Sequence, residues 1–97
     1  MRREKRPDEA YEIESLTKGL AVLEALEGTN FEPVPVKRIV NRTQLPRDTV
    51  ERSLKTFRLR GWAFQTEKGE WMVGRRFIRF AQGVVIAFPQ IVKEEDL

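Results

Sequence analysis

Ninety-seven residues with a formal net charge of +3 suit one small domain with a single modest core and no deep cleft. Cysteine and histidine are both absent, which excludes disulfides, thiolate chemistry, the usual zinc ligand sets and the commonest general base. The longest apolar run, Val84–Phe88, is far shorter than the roughly 20 residues that span a bilayer, and no signal peptide is recognisable, so we expect a soluble, intracellular protein.

The N-terminal part of the chain predicts a tail followed by one helix. Residues 1–12 carry almost no apolar side chains and predict a mobile basic tail. Apolar residues then recur at helical spacing, with Ser15 as the expected N-cap and Gly28 as the expected C-terminal stop. The apolar face expected for this helix consists of Leu16, Leu20, Leu23 and Leu26, flanked by Ile13 and Val22.

A connector and a second helix come next. Residues 29–35 contain two prolines and indicate a connector. Residues 36–43 distribute apolar and basic positions at the spacing of a short amphipathic helix. Its apolar face is formed by Val36, Ile39 and Val40, and its basic face by Lys37, Arg38 and Arg42. A tight break at residues 44–46 follows, and Pro46 suits the first turn of the next helix.

The third helix, at about residues 46–60, has the most informative pattern. Val50, Leu54 and Phe57 fall within about 60° of arc on a helical wheel and form the predicted buried stripe. The opposite side carries Asp48, Arg52, Lys55 and Thr56, with Arg47 and Thr49 at the exposed N-terminal end. A helix of this kind can lie in a major groove, which is about 12 Å wide and admits one helix. The same pattern also fits an ordinary surface helix with a charged face.

A β-hairpin and a fourth helix complete the predicted elements. Four large apolar residues, Trp62, Phe64, Trp71 and Val73, alternate at a period of two around a turn in which Gly69 can take a positive φ. We expect the three aromatic side chains to form the hairpin core rather than to stack on bases. The fourth helix begins at Arg75 and ends before Pro89. Its expected apolar side consists of Phe77, Ile78, Phe80 and Ala81.

These elements predict a mainly α domain with a small β-hairpin, that is, a winged helix-turn-helix with a three-helix core, a two-stranded wing and a C-terminal helix. The charge is concentrated in one block of the chain. Residues 37–79 carry twelve bases and four acids, a net +8, whereas residues 7–36 carry one base and seven acids, a net −6. This asymmetry is expected of a surface that meets phosphates, and it also fits a merely solvated face.

Four blocks of the sequence, "SLTKGLAVLEAL", "LPRDTVERSLKTF", "GW" and "WMVGRRFIRFA", resemble in order and spacing the N-terminal DNA-binding domain of the IclR family of bacterial transcription regulators. The resemblance covers about residues 15–82. It implies a third helix that reads the major groove of double-stranded DNA, and homodimers that bind palindromic half-sites. Position by position, it implies that Arg47, Thr49 and Arg52 face the groove. It also implies that the hairpin around Lys68 is a wing on the neighbouring backbone or minor groove.

The chain departs from the family pattern in three respects. The family usually has glycine at the turn before the recognition helix, where Gln44 would cost roughly 1 kcal/mol in a left-handed backbone. Where serine is common, Asp48 suits a helix N-terminus but repels phosphate, so we expect it to pair with Arg52 or to accept from a cytosine amino group. Family members usually continue with an effector-binding domain, and this chain ends at Leu97, so no small-molecule effector is expected within it.

The basic residues have two expected roles. Arg47 and Arg52 are candidates for bidentate contacts to guanine, each worth roughly 1 to 3 kcal/mol of discrimination. The candidates for phosphate contacts, which set register without reading sequence, are Lys37, Arg38, Arg42, Lys55, Lys68 and Arg75. The basic arm Met1–Arg6 either enters a minor groove or is a solubilising tail.

The C-terminal part of the chain has no obvious cover. We expect the winged helix to occupy residues 13–82 and a C-terminal extension to occupy residues 83–97. The apolar stretch at residues 84–92 either contacts the same segment of a second chain or packs back onto the first helix.

The leading prediction is a sequence-specific, cytoplasmic transcription regulator that binds double-stranded DNA as a homodimer and whose small size would suit a phage or prophage. The alternative is an architectural or adaptor protein that acts mainly through protein contacts. An enzyme is not expected, because no carboxylate pair, phosphate-binding glycine loop or nucleophile motif is distinguished by its spacing. No cofactor, metal or membrane partner is predicted.

Overall fold

The computed structural model describes residues 10–28 and 30–92. The elements in chain order are α1 (Glu14–Ala25), α2 (Val36–Thr43), α3 (Arg47–Leu59), β1 (Ala63–Gln65), β2 (Trp71–Val73), α4 (Arg75–Ala87) and the short α5 (Pro89–Val92). The two strands form one antiparallel sheet. This is the predicted order of three helices, a wing and a C-terminal helix. The basic arm Met1–Arg6 and the end of the predicted extension, residues 93–97, lie outside the described residues.

The hydrophobic core lies where α1, α2 and α3 meet the hairpin. Val50 and Leu54 of α3 are fully buried and Phe57 is packed half-buried against the core, as their spacing predicts. Ile39 is buried on the inner face of α2, again as predicted. The buried apolar set is Val22, Ala25, Leu26, Val34, Ile39, Val50, Leu54, Ala63 and Trp71.

The ends of α1 agree only partly with the sequence prediction. The helix begins at Glu14 after an extended Ile13, and no side chain caps it. Ser15 therefore lies inside the first turn, and its predicted role as N-cap is wrong. At the other end, Gly28 has a φ of 44°, in keeping with the predicted stop.

The apolar face of α1 is also rotated from the predicted one. Leu16 and Leu20, which the pattern predicts to be buried, are 58% and 48% exposed. The core side instead includes Gly19, where an added Cβ would lie 3.6 Å from the ring of Phe57. This close helix contact turns the smaller residues of α1 inward and leaves Leu16 and Leu20 in solvent.

The start of α3 lies one residue later than predicted. Pro46 is the N-cap residue, with φ −57° and ψ 143°, and the first helical residue is Arg47. The carbonyl of Pro46 accepts a hydrogen bond from the backbone N–H of Val50 at 3.1 Å. The proline therefore opens the helix from outside its first turn.

The hairpin pairs Ala63 with Val73, Phe64 with Met72 and Gln65 with Trp71. Ala63 and Trp71 face the core, whereas Phe64 is 55% exposed, so its predicted place in the hairpin core is wrong. Trp62 precedes the strand, so the inward phase of the alternation is set by Ala63. Gly69 in the turn has a φ of 84°, as predicted.

The connector before α2 forms one edge of the wing. The backbone N–H of Val34 donates to the carbonyl of Trp71 and the N–H of Trp71 donates to the carbonyl of Val34, both at 2.8 Å. This isolated antiparallel bridge holds the connector against β2 and buries both side chains.

The helix α4 is attached to the domain mainly at its N-terminal end. The Trp62 ring contacts the rings of Phe77 and Phe80 edge-on, with centroid distances of 5.9 and 5.5 Å. Phe77 is half-buried, but the rest of the predicted apolar side is exposed: Ile78, Phe80 and Ala81. The helix ends before Pro89, as predicted, and it crosses the predicted boundary between residues 82 and 83.

Residues 84–88 are exposed as well. Residues 84–88 therefore do not pack back onto the first helix, which was one of the two expected arrangements of this stretch. Within residues 10–28 and 30–92, no element covers them.

Candidate nucleic-acid interface

Six side chains were predicted to lie opposite the buried stripe of α3 or at its exposed N-terminal end, and all but the half-buried Thr49 are exposed. The side chains of Asp48 and Arg52 are 80% and 81% exposed, and Asp48 Oδ2 lies 3.9 Å from Arg52 Nη1. This agrees with the expected pairing across one helical turn, but an exposed pair at this distance is weak. The Arg52 guanidinium can therefore exchange Asp48 for an external acceptor at little cost.

Arg47 and Thr56 are each engaged within α3. The Nε of Arg47 donates to Glu51 Oε2 at 3.2 Å, and the Arg47 side chain is 64% exposed. The hydroxyl of Thr56 donates to the backbone carbonyl of Arg52 at 2.8 Å, which leaves its oxygen to act as an acceptor. Lys55 is exposed and Thr49 is half-buried.

The turn that orients α3 is fixed by local hydrogen bonds. Gln44 takes the left-handed conformation expected at this position, with φ 60° and ψ 23°, and its backbone N–H donates to Val40 at 2.8 Å. Its side-chain amide donates to the carbonyl of Asn41 at 2.6 Å. The hydroxyl of Thr43 donates to Ile39 and accepts from the N–H of Leu45. These hydrogen bonds hold Gln44 in a left-handed backbone conformation that a glycine would adopt without strain.

The predicted phosphate contacts lie on α2, the wing and the start of α4. All five outside α3 are exposed: Lys37, Arg38, Arg42, Lys68 and Arg75. Because α2 and β1 both pack directly against α3, the cations of α2 and of the wing lie on elements that adjoin α3. Lys68 is in the hairpin turn, which is closed by backbone hydrogen bonds between Thr66 and its neighbours Gly69 and Glu70.

Arg58 links α3 to the wing, a role that the sequence interpretation missed. Its guanidinium lies 5.3 Å from the centroid of the Trp71 ring, and its Nη1 donates to Gln65 Oε1 at 2.5 Å. The Gln65 amide in turn donates to the carbonyl of Gly69. The sequence does contain an indication of this role. Arg58 follows the buried Leu54 by four residues, so it lies at the edge of the buried stripe of α3.

An open groove of about 760 Å³ lies between α1 and α3. Its lining includes Leu16 of α1 and Thr49, Arg52 and Phe57 of α3. Thr49 and Arg52 thus border this groove as well as solvent.

At the first turn of α1, which also lines the groove, Lys18 and Glu14 form an ion pair at 3.0 Å. The hydrogen bond from the ammonium group, together with its charge, lowers the pKa of the exposed Glu14 carboxyl.

The described residues show no other kind of site. Within residues 10–28 and 30–92, no polar or charged side chain is buried and no cluster of acidic residues could hold a metal ion. Over the same part of the chain, no helix has the length and apolar character needed to cross a membrane.

Comparison with known proteins identifies both the fold and the family. A family model described as the IclR helix-turn-helix domain matches residues 15–67, more than half of the chain. No curated protein matches the chain at a significant level.

Solved structures give the same result for the fold. An IclR family transcriptional regulator from Brucella abortus matches with a TM-score of 0.70 at 22% identity over 80% of this chain. HmgR of Pseudomonas aeruginosa matches with a TM-score of 0.66 at 23% identity over 75%. A Rhodococcus sp. protein assigned to the IclR family matches with a TM-score of 0.63 at 24% identity over 84%. The matches cover 30%, 30% and 32% of those chains, so this chain spans about a third of their length.

Proposed function

This chain belongs to the IclR helix-turn-helix family, and on that premise we propose that it is a transcription regulator that reads double-stranded DNA with α3 in the major groove. The observation that carries the proposal is the division of α3 into two faces. Val50 and Leu54 are fully buried on one side, while Asp48 and Arg52 are about four-fifths exposed on the other. The helix can therefore enter a groove without disturbing the core.

The cations have different proposed tasks according to their position. Arg47 and Arg52, near the N-terminus of α3, contact base edges, and Asp48, Thr49 and Thr56 supply further polar contacts. The exposed cations Lys37, Arg38, Arg42, Lys55, Lys68 and Arg75 contact phosphates. Arg58 is excluded from both groups, because the Trp71 ring and the Gln65 amide already hold its guanidinium.

We propose that two copies bind palindromic half-sites, with their recognition helices separated by about one turn of DNA, roughly 34 Å, or a multiple of it. This is a binding function and not a catalytic one, and it takes place in the cytoplasm with the DNA.

Selection from a random pool of duplex DNA, at about 150 mM salt, tests the proposal. We expect enrichment of a palindrome. Enrichment of a single half-site would favour binding by one copy. The absence of any enrichment would contradict sequence reading and favour the alternative of an adaptor that acts through protein contacts.

Two alanine substitutions, one of an arginine and one of a lysine, then distinguish base contacts from phosphate contacts. In Arg52→Ala, discrimination at one base pair should fall by roughly 1 to 3 kcal/mol. In Lys68→Ala, all sequences should lose affinity alike, and the slope of log K against log salt should become shallower by about 1. Arg60→Ala is the matched control, because Arg60 is exposed and lies just beyond the C-terminal end of α3. Equal losses on all sequences for Arg52→Ala and Lys68→Ala would contradict the assignment.

A further inference from the structure

Arg58 contacts both strands of the wing at the point where the hairpin turn begins. Gln65 is the last residue of β1, Trp71 is the first residue of β2, and the two are paired across the sheet. The Nη1 of Arg58 donates to Gln65 Oε1 at 2.5 Å, and its Cζ lies 5.3 Å from the centroid of the Trp71 ring. A planar guanidinium can lie over an aromatic ring and still direct N–H groups along its edge, so it makes both contacts at once.

The turn beyond this pair is held by hydrogen bonds that begin at Gln65. The Gln65 amide donates to the carbonyl of Gly69 at 3.3 Å, and the N–H of Gly69 donates to the carbonyl of Thr66 at 2.9 Å. The N–H of Glu70 donates to the hydroxyl of Thr66 at 3.2 Å. Lys68 lies between these residues, so its position relative to α3 is set through Gln65.

The two ends of the wing are attached to α3 by different means. At the end near the core, Ala63 is buried and the N–H of Trp62 donates to the carbonyl of Phe57 at 2.8 Å. At the turn, Lys68 is exposed. Among residues 10–28 and 30–92, the bond from Arg58 is the only side-chain hydrogen bond between α3 and the wing. The orientation of the turn therefore depends on this one side chain.

We propose that Arg58 is a positioning residue for DNA binding, which holds the wing at the distance from α3 at which Lys68 meets the DNA backbone. The inference rests on the proposed function, in which α3 lies in the groove while Lys68 contacts a phosphate. Both contacts form together only if their separation fits the duplex, and a separation fixed before binding removes the cost of ordering the turn on DNA. The wing and α3 thus bind as one unit.

Three variants test the proposal by equilibrium binding to the selected duplex at about 150 mM salt. Arg58→Met removes the charge and the hydrogen bond, Arg58→Lys keeps the charge on a compact ammonium that lacks the planar fork, and Gln65→Leu changes no charge. Each should weaken binding by about 10-fold and make the slope of log K against log salt shallower by about 1, as Lys68→Ala does. Arg60→Met, the same change at an exposed arginine beyond the end of α3, is the matched control and should stay within about 2-fold of the wild type.

A double variant distinguishes positioning from direct contact with DNA. If Arg58 acts through Lys68, then Arg58→Met combined with Lys68→Ala should bind about as weakly as Lys68→Ala alone. If Arg58 itself contacted a phosphate, the two losses would multiply, Arg58→Lys would restore binding and Gln65→Leu would have no effect. That result would overturn the proposal.

Amide hydrogen exchange of the protein without DNA tests the contact independently of DNA binding. In Arg58→Met and Gln65→Leu, the amides of Gly69 and Glu70 should exchange about 10-fold faster, while that of Leu54 and the far-ultraviolet circular dichroism should not change. Unchanged exchange in the turn would overturn the proposal, as would faster exchange with unchanged DNA affinity, which would show a contact that serves stability alone. A wild type that binds no duplex would overturn the proposed function, and this inference with it.

Discussion

Among the described glycines, Gly74 makes the closest backbone approach that an added side chain would disturb. Its φ of −93° is open to any residue, so conformational freedom is not the reason for glycine here. A Cβ at this position would instead lie 2.4 Å from the carbonyl oxygen of Gly61 and 2.9 Å from the backbone nitrogen of Ala63. Gly61 lies between α3 and the wing and Ala63 begins β1, and neither backbone atom can rotate away. We therefore expect Gly74→Ala to force the two segments apart.

The cost follows from the contacts that would have to lengthen. The N–H of Gly74 donates to Trp62 at 2.9 Å and the N–H of Arg76 donates to Gly61 at 3.0 Å. Overpacking costs about 1 to 3 kcal/mol and each of the two weakened hydrogen bonds about 1 kcal/mol, so the free energy of unfolding should fall by about 3 to 5 kcal/mol. For a domain of this size, a loss of about 3 kcal/mol already lowers the Tm by about 12 °C or more.

Gly83→Ala is the matched control, because no atom lies within 4 Å of its added Cβ and the residue is inside the exposed α4. Replacing a helical glycine by alanine should raise the free energy of unfolding by about 0.5 to 1 kcal/mol. Urea denaturation followed by circular dichroism, at equal protein concentrations, measures both changes. If Gly74→Ala remains within about 0.5 kcal/mol of the wild type, the steric reasoning is refuted.

Three further expectations concern the core, the turn and the first helix. Leu54→Ala should lower the free energy of unfolding by about 2 to 5 kcal/mol, because Leu54 is fully buried. The exposed control Leu59→Ala should change it by less than about 0.5 kcal/mol, and equal urea midpoints for the two variants would contradict this expectation. Gln44→Gly should raise stability by up to about 1 kcal/mol in the same assay, since it relieves a left-handed backbone, and a loss would show that the side-chain hydrogen bond outweighs the strain. Lys18→Met should return the pKa of Glu14 toward its ordinary value in an NMR titration. In the wild type, the stabilising contribution of this ion pair is present at a pH above the ordinary pKa of glutamate. It disappears as the pH falls through the lowered pKa of Glu14.

The sequence predicts the third helix well and the first helix poorly, for a physical reason. In α3, large apolar residues alone define the buried stripe, so the helical wheel finds Val50 and Leu54. In α1, Gly19 is buried and faces the ring of Phe57, and a glycine adds nothing to a hydrophobic pattern. The leucines then dominate the pattern although Leu16 and Leu20 face solvent.

The wing shows a related limit. Its strands are three residues long, so a phase error of one residue reverses the inward and outward sides. Counting from Trp62 puts Phe64 inside, whereas the strand begins at Ala63. The structural role of Arg58 could not be separated from DNA binding by sequence alone, because both roles use an exposed guanidinium and only the tertiary position of Trp71 decides between them.

The bridge between Val34 and Trp71 joins segments far apart in the chain, and this has a kinetic consequence. Contacts of large sequence separation are entropically costly to close, so we expect the wing to dock after the three helices have formed. Both tryptophans of the chain, Trp62 and Trp71, belong to the wing region and neither lies on a helix. Intrinsic fluorescence therefore follows wing docking, while far-ultraviolet circular dichroism follows the helices. In a stopped-flow refolding experiment, the fluorescence change should therefore occur later than the circular dichroism change. Each signal reports on its own part of the fold, and no label has to be introduced.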